Sequence, residues 1–386
     1  MQTSSLLERA QALPDPRQAS KCSHILGDVV FITLCGLLCG ADDWNAIVYY
    51  AKEKEDWLRQ HLSLPNGIPS HDTFNRIFAL LAPDTFHQLF TDWVQDVLLG
   101  NSTITGVVAI DGKTQRGSRV SATEVTHTIN AWSVESGICL GQNKVADKSN
   151  EITAVPLLLK QLAIKNCLVT ADAMSCQKKI AQQIISQEAD YLLAVKANQK
   201  QLFQTIDSHF VDYWQCNPND SSSDKAFSEQ DEGTHGRTEH RRCWVSSTVS
   251  DELAQKWGAQ TIAAVQYDRV KGKSQRSYMR YFISSRVLSA DEVLLATRQH
   301  WQVENSLHWV LDVAFCEDQS RARQGFAAEN LATARQIALN LLKQDKTAKI
   351  GIKNRRKACG WSERYLEHIL GSVSYTHLTL PTTPYV

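Results

Sequence analysis

The stretch GVVAIDGKTQRGS at residues 106–118 decides the fold of this chain. Its apolar run, residues 107–110, has the length of a short buried strand and ends at a carboxylate, Asp111. An unpaired charge next to a buried strand is costly, so a bare aspartate at this place suggests a function. An aspartate in front of Gly112 also forms turns, and this simpler interpretation stays open for Asp111 taken alone.

The residues after this stretch alternate between strand and helix patterns. In chain order they predict two strands (127–135 and 137–145), a helix (150–162), a strand (167–171), a helix (176–186) and a strand (191–197). Three strands, helix, strand, helix, strand is the order of a ribonuclease H-like domain. Short apolar strands between amphipathic helices indicate a sheet covered on both faces. We therefore expect an α/β fold with a ribonuclease H-like catalytic core.

A second carboxylate, Asp172, directly follows the predicted strand 167–171. Open α/β sheets bind ligands in the crevice beyond their strand ends. Phosphodiester cleavage and strand transfer use two divalent ions about 3.5–4 Å apart, and Mg²⁺ prefers oxygen ligands. Two such aspartates, together with a glutamate on a later helix, form a stronger pattern than either aspartate alone. The pattern indicates metal-dependent phosphoryl chemistry.

Residues 1–102 are predicted to form an all-α N-terminal domain. Apolar residues recur at helical spacing through four stretches, 28–40, 44–62, 70–80 and 85–99. The third helix has a strong start signal, because Ser70 or His71 can cap it. Short helices joined by a tight turn suit a helix-turn-helix-like DNA module. A bundle that supports the next domain explains the pattern equally well.

The catalytic domain is expected to span residues 103–345, with a β insertion at about 200–290. Alternating patterns at 241–247, 261–270 and 279–285 predict the strands of the insertion. A long amphipathic helix, 293–315, and a last helix, 327–343, follow. Residues 346–372 then form a basic C-terminal segment. The stretch 343–358 carries seven Lys or Arg and one Asp, so we expect it to contact a DNA backbone.

Composition limits the class of protein only weakly. The 41 basic and 41 acidic residues give a formal net charge of zero, which counts mildly against a nucleic-acid partner, although charge distribution matters more than the sum. The ten cysteines are spaced for neither a zinc site nor a disulfide framework and indicate a reduced, cytoplasmic protein. The apolar run 29–41 is shorter than the roughly 20 residues of a membrane span. We expect no membrane partner.

The last fourteen residues, VSYTHLTLPTTPYV at 373–386, have no helical period. They resemble the translation of a sequencing adapter, which predicts a non-native tail and a different natural sequence after about Ser372. A genuine disordered tail is the alternative.

Nine blocks of sequence, in a fixed order across residues 15–324, carry a family resemblance. They read DPRQ, LCGADDWNAI, NGIPSHDTFNRIF, AIDGKTQRGS, KSNEITAVPLLL, TADAMSCQKKIA, LLAVKANQ, HGRTEHRR and HWQVENSLHWVLDVAFCEDQSRAR. In these blocks the chain resembles the ISAs-group insertion-sequence transposases, also called H-repeat-associated proteins, within the DDE transposase superfamily. The resemblance is specific, because many blocks match rather than one short motif.

The resemblance implies that Asp111, Asp172 and Glu304 are the catalytic residues and the metal ligands. It implies Mg²⁺ as the cofactor, with Mn²⁺ able to substitute. The expected reaction is cleavage of double-stranded DNA at the ends of an insertion element, followed by transfer of the 3′-hydroxyl into target DNA. Because two ends must be joined in one event, we expect a homodimer or a larger assembly on DNA.

Three other acids compete with Glu304 for the third position: Asp312, Glu317 and Asp318 lie on or just after the same predicted helix. The family motif favours Glu304. The chain also departs from related transposases, which carry a Tyr and an Arg ahead of this Glu and a Lys after it. Here His300 precedes Glu304 by four residues and Leu311 follows it by seven.

Several residues near the carboxylates are candidates for contacts with DNA. A lysine after the strand that follows Asp172 is placed to contact the scissile phosphate. The predicted contacts are Lys113, Arg116, Lys196, Asn198, His235, Arg237, His300 and His308. A solvated surface charge is the simpler explanation for any one of them. Trp301 and Trp309 are more typical of core residues than of base-stacking residues.

Three other functions fit parts of the pattern. A sequence-tolerant metal nuclease could use the same acids, and end-specific binding would separate it from a transposase. An inactive relic that only binds DNA is the second alternative. A nucleotidyltransferase-like enzyme with paired acids is the third.

Overall fold

The computed structural model describes residues 6–98, 100, 103–119, 125–145, 151–216, 226–234, 237–271 and 274–371. The predicted DNA contact His235 and the predicted non-native tail 373–386 lie outside the described residues. The side chain of Arg237, at the start of a strand, is also outside the description.

Within the described residues nine strands form one mixed sheet. They are β1 (Val107–Gln115), β2 (Thr126–Ser133), β3 (Ile138–Val145), β4 (Leu168–Ala171), β5 (Asp190–Val195), β6 (Phe227–Thr234), β7 (Arg237–Ser246), β8 (Thr261–Lys271) and β9 (Ser274–Ser284). Their order across the sheet is β3-β2-β1-β4-β5-β9-β8-β7-β6. The β1, β4 and β5 strands are parallel to one another, and the remaining pairs are antiparallel.

The first five strands have the ribonuclease H-like arrangement, which confirms the predicted fold class. The predicted β insertion supplies β6 to β9, and it extends the same sheet, because β9 pairs with β5 from Leu192↔Ser284 to Val195↔Tyr281. This pairing brings the insertion next to the parallel strands at the centre of the core.

The β1 strand is longer than the sequence indicated. We expected it to end at Asp111, but it continues to Gln115, and Asp111 pairs with Asn130 of β2. The parallel pairing with β4 does stop at Ile110↔Ala171. Asp111 and Asp172 therefore each follow the last parallel pair by one residue and lie at the same edge of the parallel strands.

Fifteen α-helices surround the sheet in the described part of the chain. They are α1 (Leu6–Gln11), α2 (Leu26–Leu38), α3 (Trp44–Glu53), α4 (Glu55–Leu58), α5 (His71–Leu80), α6 (Pro83–Trp93), α7 (Glu151–Lys160), α8 (Lys178–Ser186), α9 (Lys200–Cys216), α10 (Asp251–Trp257), α11 (Ala290–His300), α12 (Trp309–Ala314), α13 (Ala327–Gln344), α14 (Ile352–Trp361) and α15 (Glu363–Gly371). None of them combines the length and apolar character that a membrane crossing requires.

The predicted single helix at 293–315 is interrupted. It consists of α11, a π-helical segment (Val303–His308) and α12. The start of α5 is as expected, since the Ser70 hydroxyl accepts a hydrogen bond from the Thr73 N–H. Apolar periodicity located these helices but did not reveal the extra residue of the π-helical turn.

The N-terminal helices share a core with the rest of the chain. All residues of α2 are buried, and α13 packs against α2, α5, α6 and β3. One hydrophobic cluster contains Val30 and Phe74 as well as Ile110 and Ile337. This packing favours the supporting role of the N-terminal helices, while the domain boundaries at 102 and 345 stay a prediction.

Candidate active site

Three carboxylates from distant parts of the chain line one cleft. Asp111 lies on β1, Asp172 follows β4 and Glu304 lies on the π-helical segment. The cleft has a volume of about 530 Å³. The parallel strands set the position of the two aspartates, and the break between α11 and α12 brings the glutamate to them.

Of the three carboxylates, Asp111 is the one whose charged form is most strongly disfavoured. Burial disfavours its charged form and raises its pKa to about 7. The negative charge of Glu304 raises this pKa further, as does that of Asp172, whereas the N–H of Gly112 opposes the shift. The carboxylates thus repel one another, and a cation among them would relieve the repulsion.

This donor set fits a divalent cation that prefers oxygen ligands, such as Mg²⁺. The three carboxylates do not form a preformed metal site. Among the described residues, no group of three His, Cys, Asp or Glu side chains is close enough together to hold a metal ion. An open arrangement leaves space for phosphate oxygens, which usually complete the coordination of Mg²⁺.

The turn after β4 orients Asp172. Its Oδ1 accepts a hydrogen bond from the Ser175 N–H at 3.1 Å. The side chain of Asn198 donates to the Ala173 carbonyl at 2.7 Å, which ties the segment after β5 to this turn. Asn198, a predicted DNA contact, thus supports the loop of Asp172.

A chain of hydrogen bonds orients His308 towards Asp111. The Gln336 amide donates to Asn130 Oδ1 at 2.7 Å, so the Asn130 amide nitrogen is left to donate to His308 Nε2 at 3.3 Å. The proton of the neutral ring then lies on Nδ1, which is 3.5 Å from Asp111 Oδ2. Burial, together with Lys113, lowers the pKa of His308 to about 3, which keeps the ring neutral.

A second histidine, His300, is half-buried and lines the cleft. Its Nδ1 lies 3.1 Å from the hydroxyl of Thr170 on β4. Burial, assisted by Arg280, lowers the pKa of His300 to about 4. His300 lines the cleft, whereas His308 does not, and the predicted contacts of both histidines with DNA stay predictions.

The basic residues that were predicted to contact DNA differ in their exposure and in their neighbours. Lys196 is exposed and lines the cleft. The Lys113 side chain is 6% exposed, and its ammonium group lies 2.6 Å from Asp312 and 3.5 Å from Glu317. The Arg116 side chain is 84% exposed outside the cleft. Lys196 is therefore accessible from the cleft, whereas Lys113 is bound to two carboxylates, and their predicted contacts with phosphate stay predictions.

The same contacts separate Glu304 from its three competitors. Asp312 is bound to Lys113, and Glu317 is buried beside the same ammonium group. Asp318 accepts a hydrogen bond from the Arg116 N–H at 3.0 Å. Of these four acids, Glu304 is the one that lines the cleft with Asp111 and Asp172.

Two family models match the chain. The model of the Transposase DDE domain matches residues 103–341, and a model described as DDE_Tnp_1-associated matches residues 7–94. The chain belongs to the DDE transposase family.

Similar proteins include two from Escherichia coli. YncI of strain O157:H7, provisionally named a transposase, is 39% identical over 97% of this chain and 96% of its own length. YhhI of strain K12, an H repeat-associated protein with a provisional transposase name, is 37% identical over 96% of this chain and 98% of its own length. A solved piggyBac transposase synaptic complex with hairpin DNA covers 99% of this chain and 81% of that chain, with 12% identity and a TM-score of 0.42.

Sequence reasoning missed Arg280 in this DDE transposase. Its guanidinium lies over the rings of Tyr267, Tyr278 and Trp301, at 5.2, 5.3 and 5.7 Å from their centroids. Arg280 also lines the cleft and opposes the rise in the pKa of Glu304, which burial causes. The strand pattern located β9, but only its long-range pairing with β5 brings Arg280 to the cleft.

The two tryptophans beside Glu304 were expected in the core, and this expectation is wrong. Trp301 is 40% exposed and Trp309 is 61% exposed. The expectation rested only on how often tryptophan is buried, and this tendency carries no information on the π-helical segment that lies between the two residues.

Proposed function

We propose that this chain cuts double-stranded DNA at the ends of an insertion element and transfers the 3′-hydroxyl into target DNA. Asp111, Asp172 and Glu304 are the catalytic residues and would hold divalent ions, Mg²⁺ or in its place Mn²⁺. The observation that carries the proposal is the meeting of these three carboxylates in one cleft of a DDE-family chain.

The ions, when bound, activate the attacking water or hydroxyl and stabilise the leaving oxygen. The residues of the chain prepare the site for them. The Ser175 N–H fixes Asp172, and the neutral ring of His308 directs its Nδ1–H to Asp111. These contacts hold the two carboxylates in defined orientations without adding a positive charge between them.

Lys196 and Arg280 would bind the phosphate that enters the cleft. Both side chains line it, and Arg280 faces Glu304. Arginine is suited to the place because its planar group can stack on Trp301 and still donate to phosphate oxygens. Asn198 would act indirectly, through the loop that carries Asp172.

The proposed partner is duplex DNA, both at the element ends and at the target. Joining two ends in one event requires two active sites in one complex, so we propose a homodimer or a larger assembly on DNA. The proposed site of action is the bacterial cytoplasm, at the DNA.

The test is cleavage of DNA that carries the ends of the element, with Mg²⁺ or Mn²⁺. We expect Asp111→Asn, Asp172→Asn and Glu304→Gln each to abolish cleavage and to leave DNA binding intact, because each removes one metal ligand. Asp212→Asn, at an exposed position on α9, is the matched control and should cut like the wild type.

The other outcomes of this experiment would identify which alternative function is correct. Near wild-type cutting by any one of the three variants would remove that residue from the site. Equal cutting of unrelated DNA would indicate a sequence-tolerant nuclease. Binding of the ends without cutting by the wild type would indicate an inactive relic.

A further inference from the structure

Two short turns that follow catalytic segments dock against each other. The first is the 3₁₀ turn Arg116–Ser118 after β1, and the second is the 3₁₀ turn Glu317–Gln319 after α12. A Cβ on Gly117 would lie 2.3 Å from the Ser320 carbonyl oxygen, so only glycine permits this approach. The side chain of Arg323 donates to the Gly117 carbonyl at 3.0 Å and closes the contact from the other side.

Four exposed arginines lie on these two turns or within four residues of them, and we call them the arginine patch: Arg116, Arg119, Arg321 and Arg323. Asp318 is the one acid with partial exposure on the two segments, at 27%, and it lies 3.6 Å from Arg116 Nε. Glu317 is buried beside Lys113. The patch is therefore an exposed concentration of positive charge on a chain whose net charge is zero.

These arginines differ from those in the basic stretch 343–358. There Arg355 donates to the carbonyls of Leu342, Asp345, Ala348 and Ile350, and Arg356 is buried. The guanidinium groups of these two arginines stabilise the fold and have few N–H donors left for a ligand. In the arginine patch, by contrast, Arg119 and Arg321 are exposed and project from turns that are already fixed.

The length of chain between Asp111 and Arg116 limits how far the patch lies from the carboxylates. Arg116 directly follows the end of β1, five residues beyond Asp111, so the two residues are at most about 17 Å apart at about 3.3 Å per residue. Phosphates of one DNA strand are about 3.4 Å apart along the helix axis. A duplex that runs from the cleft towards the patch would therefore meet it within about five nucleotides of the phosphate that would react at Asp111.

We propose that the arginine patch binds the backbone of duplex DNA within about five base pairs of the reacting phosphate. The proposal rests on the proposed function, because the position of the patch on the duplex is counted from the phosphate that reacts in the cleft. Guanidinium groups pair with phosphate oxygens through two parallel hydrogen bonds, and they carry no base information in this role. The patch sets the path of the duplex over the protein.

The test uses the full chain, without divalent ions, and a labelled duplex that carries the element end. Binding is measured over a series of NaCl concentrations for the wild type, Arg119→Ala and Arg321→Ala. Each alanine variant should lower the slope of log K against log [NaCl] by about 1 and should weaken binding to unrelated duplexes equally. Arg321→Lys should keep the wild-type slope, because a point charge still neutralises one phosphate.

Arg364→Ala, at an exposed position on α15, is the matched control and should not change the slope. Unchanged slopes in both patch variants, with unchanged unfolding midpoints, would overturn the proposal. If the wild type cuts the ends while the slopes do not change, the patch fails and the transposase function stands. If the slopes fall while no DNA is cut, the patch is supported and the proposed catalysis fails.

Discussion

A single neutral ring faces Asp111, with His308 Nδ1 3.5 Å from its carboxylate. His308 points Nδ1 at Asp111 because Asn130 donates to its other nitrogen, and Gln336 fixes the amide of Asn130. A neutral donor holds the carboxylate without competing with a metal ion for its charge. His308 is a positioning residue in this arrangement, because it acts on the substrate through Asp111.

Replacing His308 by alanine should raise the Mg²⁺ concentration for half-maximal cleavage by about 10–100-fold, the usual cost of losing a partner of a metal ligand. DNA binding measured without metal should not change, since the ring is 9% exposed behind the carboxylate. Titration of cleavage against Mg²⁺ measures the effect. A loss of metal-free DNA affinity instead would show the direct DNA contact that the sequence suggested.

A second prediction at the scale of one residue concerns whether Lys113 stabilises the fold or contacts DNA. Its buried ammonium holds Asp312 and Glu317. We expect Lys113→Met to lower the free energy of unfolding by about 3–5 kcal/mol, because both carboxylates lose their partner. Urea denaturation measures this change. Arg116→Met, at a side chain that is 84% exposed, should change it by about 0.5 kcal/mol or less.

The opposite result for Lys113 is equally informative. Unchanged stability together with weaker DNA binding would restore Lys113 as the phosphate contact that its place in the sequence suggested.

At the scale of elements, the end of α13 is fixed by one carboxylate. Asp345 is 2% exposed and accepts hydrogen bonds from the Thr347 N–H, the Thr347 hydroxyl and the Tyr365 hydroxyl. Burial alone would raise the pKa of Asp345, but these hydrogen bonds prevail and hold it well below its usual value. The charged form thus joins α13 to α15.

The stability that Asp345 contributes should depend on pH. Because its pKa is lower in the folded state, the contribution is complete above the usual aspartate value of about 3.9 and decreases as the pH falls below it. At pH 6, Asp345→Asn should cost about 1.5–3 kcal/mol, the value of a hydrogen bond to a charged group. Urea unfolding at pH 6 and pH 3 should show a smaller difference between the two proteins at pH 3, because the unfolded state is protonated there while the folded state is still charged. An equal difference at both pH values would contradict the assignment.

Local sequence patterns predicted individual helices and strands. Strand alternation located β2, β3 and β9, and apolar runs that end in carboxylates located Asp111 and Asp172. The partners across the sheet could not be predicted, because Arg280 reaches the cleft through the pairing of β9 with β5. Asn130 and Gln336 meet through packing between β2 and α13, 206 residues apart in the chain. Local periodicity carries no information on such contacts.

At the scale of the whole molecule, Arg356 joins three parts of the chain. From α14 its Nε donates to the Leu37 carbonyl at 2.7 Å and its Nη2 to Asp42 Oδ1 at 2.7 Å, while Nη1 donates to the Ala314 carbonyl. These partners lie at the end of α2, in the segment after α2 and at the end of α12. The C-terminal helices therefore hold the N-terminal helices against the element that follows Glu304.

The contacts of Arg356 lead to a prediction about the cooperativity of unfolding. Since one hydrophobic cluster runs from Leu6 to Ile369, the N-terminal helices and the sheet should unfold together. Arg356→Met should lower the free energy of unfolding by about 3–5 kcal/mol, because Asp42 is left without its partner. Hydrogen exchange of α2 and of β1 in increasing urea should show one midpoint for both elements, lowered equally in the variant. If α2 instead lost protection before β1, the helices would be a separate folding unit, as the predicted domain boundary at residue 102 requires.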